Sequence, residues 1–123
     1  MFSVKFVDKE IAKLEEVLLS LSKEDFATVR LKQIRDIYDR SQRQGGTPVG
    51  NYTGGGQLRI SAAYRIDEFG YVKEYAPHVE FGHRTRSGSF VPGQYYLKKN
   101  VDAQREIYKE DLKEAIRRHD TKA

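Results

Sequence analysis

Tyr75-Ala76-Pro77-His78-Val79-Glu80-Phe81-Gly82-His83-Arg84-Thr85, followed by Pro92-Gly93-Gln94-Tyr95-Tyr96-Leu97, is the stretch on which a reading of the fold turns. Tyr75, Pro77, Val79 and Phe81 alternate with Ala76, His78, Glu80 and Gly82. A period of two predicts an extended strand, with the first set toward a core and the second carrying polar groups outward. The strand is expected to run into a basic, glycine-bearing loop over residues 82–93 and then into a helix.

Upstream, Leu58, Ile60 and Ala62 alternate, followed by Tyr64, Ile66, Tyr71 and Val72 around Asp67-Glu68-Phe69-Gly70. This pattern predicts a strand near Leu58 to Asp67, a turn at Glu68 to Gly70, and a returning strand through Phe81. Pro77 has no amide hydrogen to give a ladder, so it favours the start of that strand, a bulge or a sheet edge. Downstream, Leu97, Val101, Tyr108, Leu112 and Ala115 share one helical face, with Ile107 and Ile116 beside it. Glu106 with Lys109, Glu110 with Lys113, and Glu114 with Arg117 or Arg118 stand at pairing distances along that helix.

At the N-terminal end, Phe2, Val4 and Phe6 alternate with Ser3, Lys5 and Val7 as a short strand, and Asp8 can cap a helix whose stripe is Ile11, Leu14, Leu18 and Leu21. Ser22 to Asp25 has the spacing of a capping box, which starts a second helix reaching about Arg43. Its buried stripe is expected to be Ala27, Leu31, Ile34 and Tyr38, flanked by Ile37. These apolar stripes read as core or subunit contact. The expected class is α+β: a small, mainly antiparallel sheet packed with N-terminal helices and a C-terminal helix, in a single domain spanning residues 1–123.

All ten glycines lie between Gly45 and Gly93, which divides the chain into helical ends and a turn-rich middle. Residues 44–57 hold six of them, with Thr47-Pro48 and Gly54-Gly55-Gly56, and are expected to form a flexible loop without regular structure. Such a loop is either a linker or an arm that orders on a partner.

The net charge of +4 is unevenly placed. Ser41 to Ile66 has no acid and carries Arg43, Arg59 and Arg65. Phe81 to Val101 has no acid and carries Arg84, Arg86, Lys98 and Lys99. The two segments hold +7, which leaves −3 for the rest of the chain. Concentrated positive charge of this kind suits nucleic acid or an acidic protein face.

With 33% charged and 38% hydrophobic residues the chain reads as globular but highly solvated, with a modest core that a partner can complete. There is no cysteine, so neither a disulfide framework nor a thiolate metal site is available. No run approaches the roughly 18 apolar residues of a membrane span, and no cationic segment followed by an apolar one opens the chain. It is expected to be soluble, without an export signal and without a membrane partner.

Catalytic patterns are sparse. Of the three histidines, only His78 shares a strand face with a carboxylate, Glu80, too small a set for a metal, and no metal or cofactor is expected. No Gly-x-Ser-x-Gly occurs, and Gly54-Gly55-Gly56 lacks the Lys-Ser/Thr of a phosphate loop. Glu80 is expected to pair with Arg59 or Arg65 of a neighbouring strand, or across a subunit boundary.

Three parts of the sequence, in order, resemble a known family: Thr47-Pro48-Val49 with Thr53-Gly54 and Leu58-Arg59, then Tyr75 to Arg84, then Pro92 to Leu97 before a charged helix. This order is similar to that of the tail-completion, or head-to-tail joining, family of minor capsid or tail components of long-tailed bacteriophages and prophages. The Tyr-Ala-x-x-Val-Glu-Phe-Gly element is the more specific part. The chain departs from the family where Gly50-Asn51-Tyr52 separates Pro48-Val49 from Thr53-Gly54, and where Gly55-Gly56 lengthens the next step.

The resemblance implies an α+β structural protein of the virion, held in the host cytoplasm before assembly. It implies a homo-oligomeric ring, typically of six, between the tail tube and the head connector, and it implies no catalysis. On that implication residues 44–57 and 82–93 lie at inter-subunit or inter-ring contacts. Phe90 and Val91 are the anchors, and Arg43, Tyr52, Arg59, Glu80, His83, Arg84 and Arg86 are interaction residues. Non-specific contact with DNA in the channel is a further partner open to the basic segments. Two other classes use the same residues. A small nucleic-acid-binding module would stack bases on Tyr52, Tyr95 or Tyr96, and a toxin-type ribonuclease would use His83, Arg84, Arg86, Tyr95 and Tyr96.

Overall fold

Asp8 opens the helical part of the chain as expected: its carboxylate accepts the Ile11 N–H at 2.8 Å and starts helix α1, Lys9–Leu21. Ser22 accepts the Asp25 N–H at 3.1 Å and starts α2, Lys23–Gln42. These positions come from a computed structural model that describes residues 1–50, 55–65 and 67–120. The remaining elements are β1 (Phe2–Lys5), α3 (Gln57–Ile60), β2 (Ala62–Tyr64), β3 (Glu68–Tyr71), α4 (Ala76–Phe81), β4 (Gly82–Arg84), β5 (Phe90–Pro92) and α5 (Tyr96–Asp120).

The fold is α+β. Helices α1, α2 and α5 pack on one another, and a three-stranded antiparallel sheet in the order β1-β3-β2 packs beside them. Register pairs Val4 with Phe69 and Phe2 with Tyr71 on one side, and Ala62 with Tyr71 on the other. Phe69 and Tyr71 of the central strand enter the core with Phe6, Ile11, Leu18 and Ile37. From α5 come Leu97, Val101, Tyr108, Leu112 and Ala115, the face that periodicity predicts. The pairs Glu106 with Lys109 and Glu110 with Lys113 also form, each at 3.7 Å.

The stripe of α2 is rotated from the expected one. Ala27 is exposed, as are Leu31 and Tyr38, while Gln33, Ile37 and Ser41 are buried and Ile34 is partly so. The reason is a polar seam between α2 and α5. Gln104 donates to Gln33 at 2.5 Å, Gln33 donates to Asp111 at 2.8 Å, and Arg40 donates to Asn100 Oδ1 at 2.7 Å and Gln104 Oε1 at 3.0 Å. Asn100 in turn donates to the Ile37 carbonyl at 3.0 Å. Buried amides with partners cost little, but a hydropathy stripe places them outside.

The middle of the chain corrects three expectations. Residues 57–60 are a helical turn, because Gly56 at φ 99° turns the chain and its carbonyl accepts the Ile60 N–H at 3.0 Å. Gly70 is not a turn residue but sits inside β3, where a Cβ would lie 2.1 Å from the Phe2 carbonyl oxygen. The strand reversal precedes it, closed by Arg65 N–H donating to the Glu68 carbonyl at 3.0 Å. Residues 76–81 are a helix, with Pro77 in the first turn, where a missing N–H is unused anyway. Ala76 and Glu80, four apart, face inward, and Phe81 is 55% exposed, so it does not hold a strand to the core.

Candidate interaction site

Glu80 shapes the end of the molecule where the two acid-free segments meet. Only 2% exposed, it accepts the backbone N–H groups of Leu97 and Lys98, each at 2.8 Å. It therefore caps α5 from a different helix, doing the work that a Ser, Thr, Asp or Asn just before the helix does elsewhere. The expected pairing with Arg59 or Arg65 does not occur. A helix N-terminus with free N–H groups and a positive dipole satisfies a buried carboxylate without a cationic side chain.

The junction carries three further bonds. Gln94 N–H donates to the Val79 carbonyl at 2.9 Å, Tyr95 N–H to the Glu80 carbonyl at 3.1 Å, and Tyr96 Oη to the Ala76 carbonyl at 3.0 Å. Tyr95 is held in the left-handed region at φ 50°, a position costly for a side chain and tolerated where neighbours over-determine it. Gly93 is required by contact: a Cβ there would lie 2.2 Å from the Glu80 carbonyl oxygen.

Between these two fixed ends rises a hairpin, β4–β5, where a basic loop was expected over residues 82–93. Its register pairs Gly82 with Pro92, His83 with Val91 and Arg84 with Phe90. Thr85 N–H donates to the Ser89 carbonyl at 2.8 Å and Gly88 N–H to the Thr85 carbonyl at 3.0 Å. With Gly88 at φ 89°, this is a three-residue turn closed by a left-handed glycine. A ribbon of two strands is marginal by itself. Here its anchorage comes from α4 and from the Glu80 junction at its base.

The hairpin presents rather than buries its side chains. Phe90 is 60% exposed and Val91 42%, and His83, Arg84 and Arg86 are exposed. Arg84 and Arg86 make no ion pair among the described residues. At its foot Phe81 meets Phe2 at 5.7 Å and Tyr95 at 6.4 Å between ring centroids, an aromatic group that sequence reading missed by placing Phe81 in the core. His78 and His83 stand 5.7 Å apart between ring centroids, and no group of three or more His, Cys, Asp or Glu able to hold a metal occurs among the described residues.

The other acid-free segment lies against the same junction. Thr47, 1% exposed, bonds the Tyr71 hydroxyl, and its N–H donates to the Ser41 carbonyl at 3.1 Å. Burial pushes the Tyr71 phenol up to about 12. Arg59 donates from Nη2 to the carbonyls of Thr47 at 2.7 Å and Arg43 at 3.2 Å. The first part of residues 44–57, expected as a flexible loop without regular structure, has neither helix nor strand over 44–50 and is tied down by these hydrogen bonds; Tyr52 lies outside the described residues.

The predicted site residues therefore fall into two groups. His83, Arg84, Arg86, Phe90 and Val91 share the hairpin, whereas Arg43 and Arg59 sit beside the 44–49 turn. Glu80 belongs to the buried junction between them. A cleft of about 380 Å³, lined by Thr47, Val49, Arg59, Gln94 and Lys99 among others, joins the two acid-free segments. No family of proteins, no curated protein and no solved structure matches this chain.

Proposed function

We propose that this chain is a structural component of the head–tail junction of a long-tailed phage or prophage, completing the tail or joining it to the head connector as a ring. The carrying observation is the hairpin. It is anchored at both ends by the Glu80 junction and holds Phe90, Val91, Arg84 and Arg86 out to solvent, and such a projecting arm has a physical use once a partner covers it. A closed ring of identical copies needs two different contact faces on each. The hairpin supplies one. The other is the face of exposed Leu31, Tyr38 and Tyr64, which with Ile34 and Ala62 lines a groove of about 390 Å³ beside the free edge of β2. The role is assembly rather than catalysis, in the virion, with tail-tube and connector proteins as neighbours.

Electron microscopy and light scattering of the purified chain, alone and mixed with tail tubes, test this reading. Rings, or caps at tube ends, are expected, and both should disappear in a Phe90→Ser, Val91→Ser double variant that keeps its circular dichroism spectrum. A chain that stays monomeric at high concentration and ignores tubes and connectors would rule it out.

A further inference from the structure

We propose that the cleft where residues 44–49 meet the start of α5 is a receptor for an acidic peptide segment of a partner protein, with a carboxylate held by Arg59 and Lys99 and a neighbouring apolar side chain seated beside it. The cleft of about 380 Å³ adjoins a smaller hollow of about 200 Å³, and the two share Pro48, Val49 and Gln94 in their walls. The first contains Arg59, Lys99, Gln44 and Gln94 and, among the described residues, no acid. The second is walled by Leu58, Tyr75 and Val79 and holds no charge among the described residues. The two hollows, which share three wall residues, thus set a cationic lining beside an apolar one.

Arg59 is the anchor of the cationic half. Its Nε and Nη2 are committed to backbone carbonyls of Thr47 and Arg43, and its Nη1 makes no hydrogen bond among the described residues. Carbonyls hold the guanidinium in place without neutralising it, and no carboxylate pairs with it among the described residues. A fixed, uncompensated guanidinium costs a ligand little ordering, and its Nη1 hydrogens are the donors left for a carboxylate. Lys99, exposed on the first turn of α5 and likewise without an ion pair among the described residues, adds a second charge to the same cleft.

The geometry favours an acidic peptide over nucleic acid. A phosphate backbone calls for a row of cations and flat aromatic faces open to bases. Among the described residues the two hollows offer two cations beside an uncharged lining, and the aromatic residues there, Tyr75 and Tyr96, are partly or wholly buried. The inference rests on the phage reading only for which protein supplies the segment.

The test is chemical-shift mapping of the full chain with a blocked hexapeptide carrying one glutamate followed by two leucines. Shifts are expected at Leu58, Val79, Gln94 and Lys99. Replacing the glutamate by glutamine, or Lys99→Glu in the protein, should weaken binding about tenfold. Lys99 is exposed, so its variant is expected to fold, and circular dichroism checks that it does. Absence of shifts in the groove, equal affinity for the glutamine peptide, or an oligothymidine that binds there while the peptide does not would each overturn the proposal. Tube docking by a chain whose groove ignores the peptide would overturn this inference alone. Peptide binding by a chain that ignores tubes and connectors would remove the phage reading and leave the groove.

Discussion

The Glu80 junction and the β4–β5 hairpin are neighbours in sequence and opposites in physics. At the junction a carboxylate and three backbone carbonyls accept from four backbone N–H groups and a phenol, and Gly93 is present because nothing larger fits. On the hairpin His83, Arg84, Phe90 and Val91 are all exposed. Substitutions at the first should be felt in folding, and at the second in association.

That contrast breaks most sharply at Glu80. Glu80→Ala leaves the buried Leu97 N–H and the partly buried Lys98 N–H without their acceptor and opens a cavity, so stability should fall by about 3 kcal/mol in urea unfolding. Glu80→Gln, which keeps one acceptor oxygen, should fall between that variant and the native chain. Equal stability of Glu80→Ala and native protein would mean that the junction does not hold α5.

Two glycines sharpen the comparison next. Gly93→Ala places a methyl group against the Glu80 carbonyl and should cost about 2 kcal/mol or more, because backbone must move. Gly88→Ala at the hairpin tip meets nothing within 4 Å and bears only the strain of its positive φ, which should cost about 1 kcal/mol. Comparing their thermal midpoints separates steric from conformational strain.

Alkali probes the junction's neighbour Tyr71. Its folded phenol is raised to about 12 by burial, above the value near 10 of an unfolded chain. The neutral form belongs to the fold, so this contribution is complete below about pH 10 and fades as pH rises toward 12. Tyr71→Phe should flatten that alkaline decline while lowering neutral-pH stability by about 1 kcal/mol, through the unpaired Thr47 hydroxyl. The smallest effect belongs to the arm: Phe90→Ser with Val91→Ser should change unfolding stability by less than about 0.5 kcal/mol. A large loss there would mean that the hairpin is part of the core.

Legibility in the sequence followed the distance over which each interaction acts. The caps at Asp8 and Ser22 and the α5 stripe depend on residues three or four apart, and all were readable. Ala76 to Phe81 was misread because six residues carry too few repeats to separate a period of two from one of 3.6. Gly70 signals a turn by composition, yet serves a close approach of β1 that only the sheet reveals. Within the candidate site, Phe90 and Val91 stood out as contact anchors, and the structure places both in the exposed hairpin. The burial of Glu80 had no local signal, since the N–H groups that donate to it lie 17 and 18 residues away.

The amino-acid order alone established an α+β chain with capped helical ends, a glycine-rich middle and two acid-free segments, because propensity, capping and charge are properties of neighbours along the chain. Tertiary structure decided that a carboxylate read as an ion-pair partner is a helix cap, that a basic loop is a hairpin held at both ends, and that the two acid-free segments line one groove. Each of those depends on which distant backbone groups arrive within hydrogen-bond reach, which no local pattern encodes.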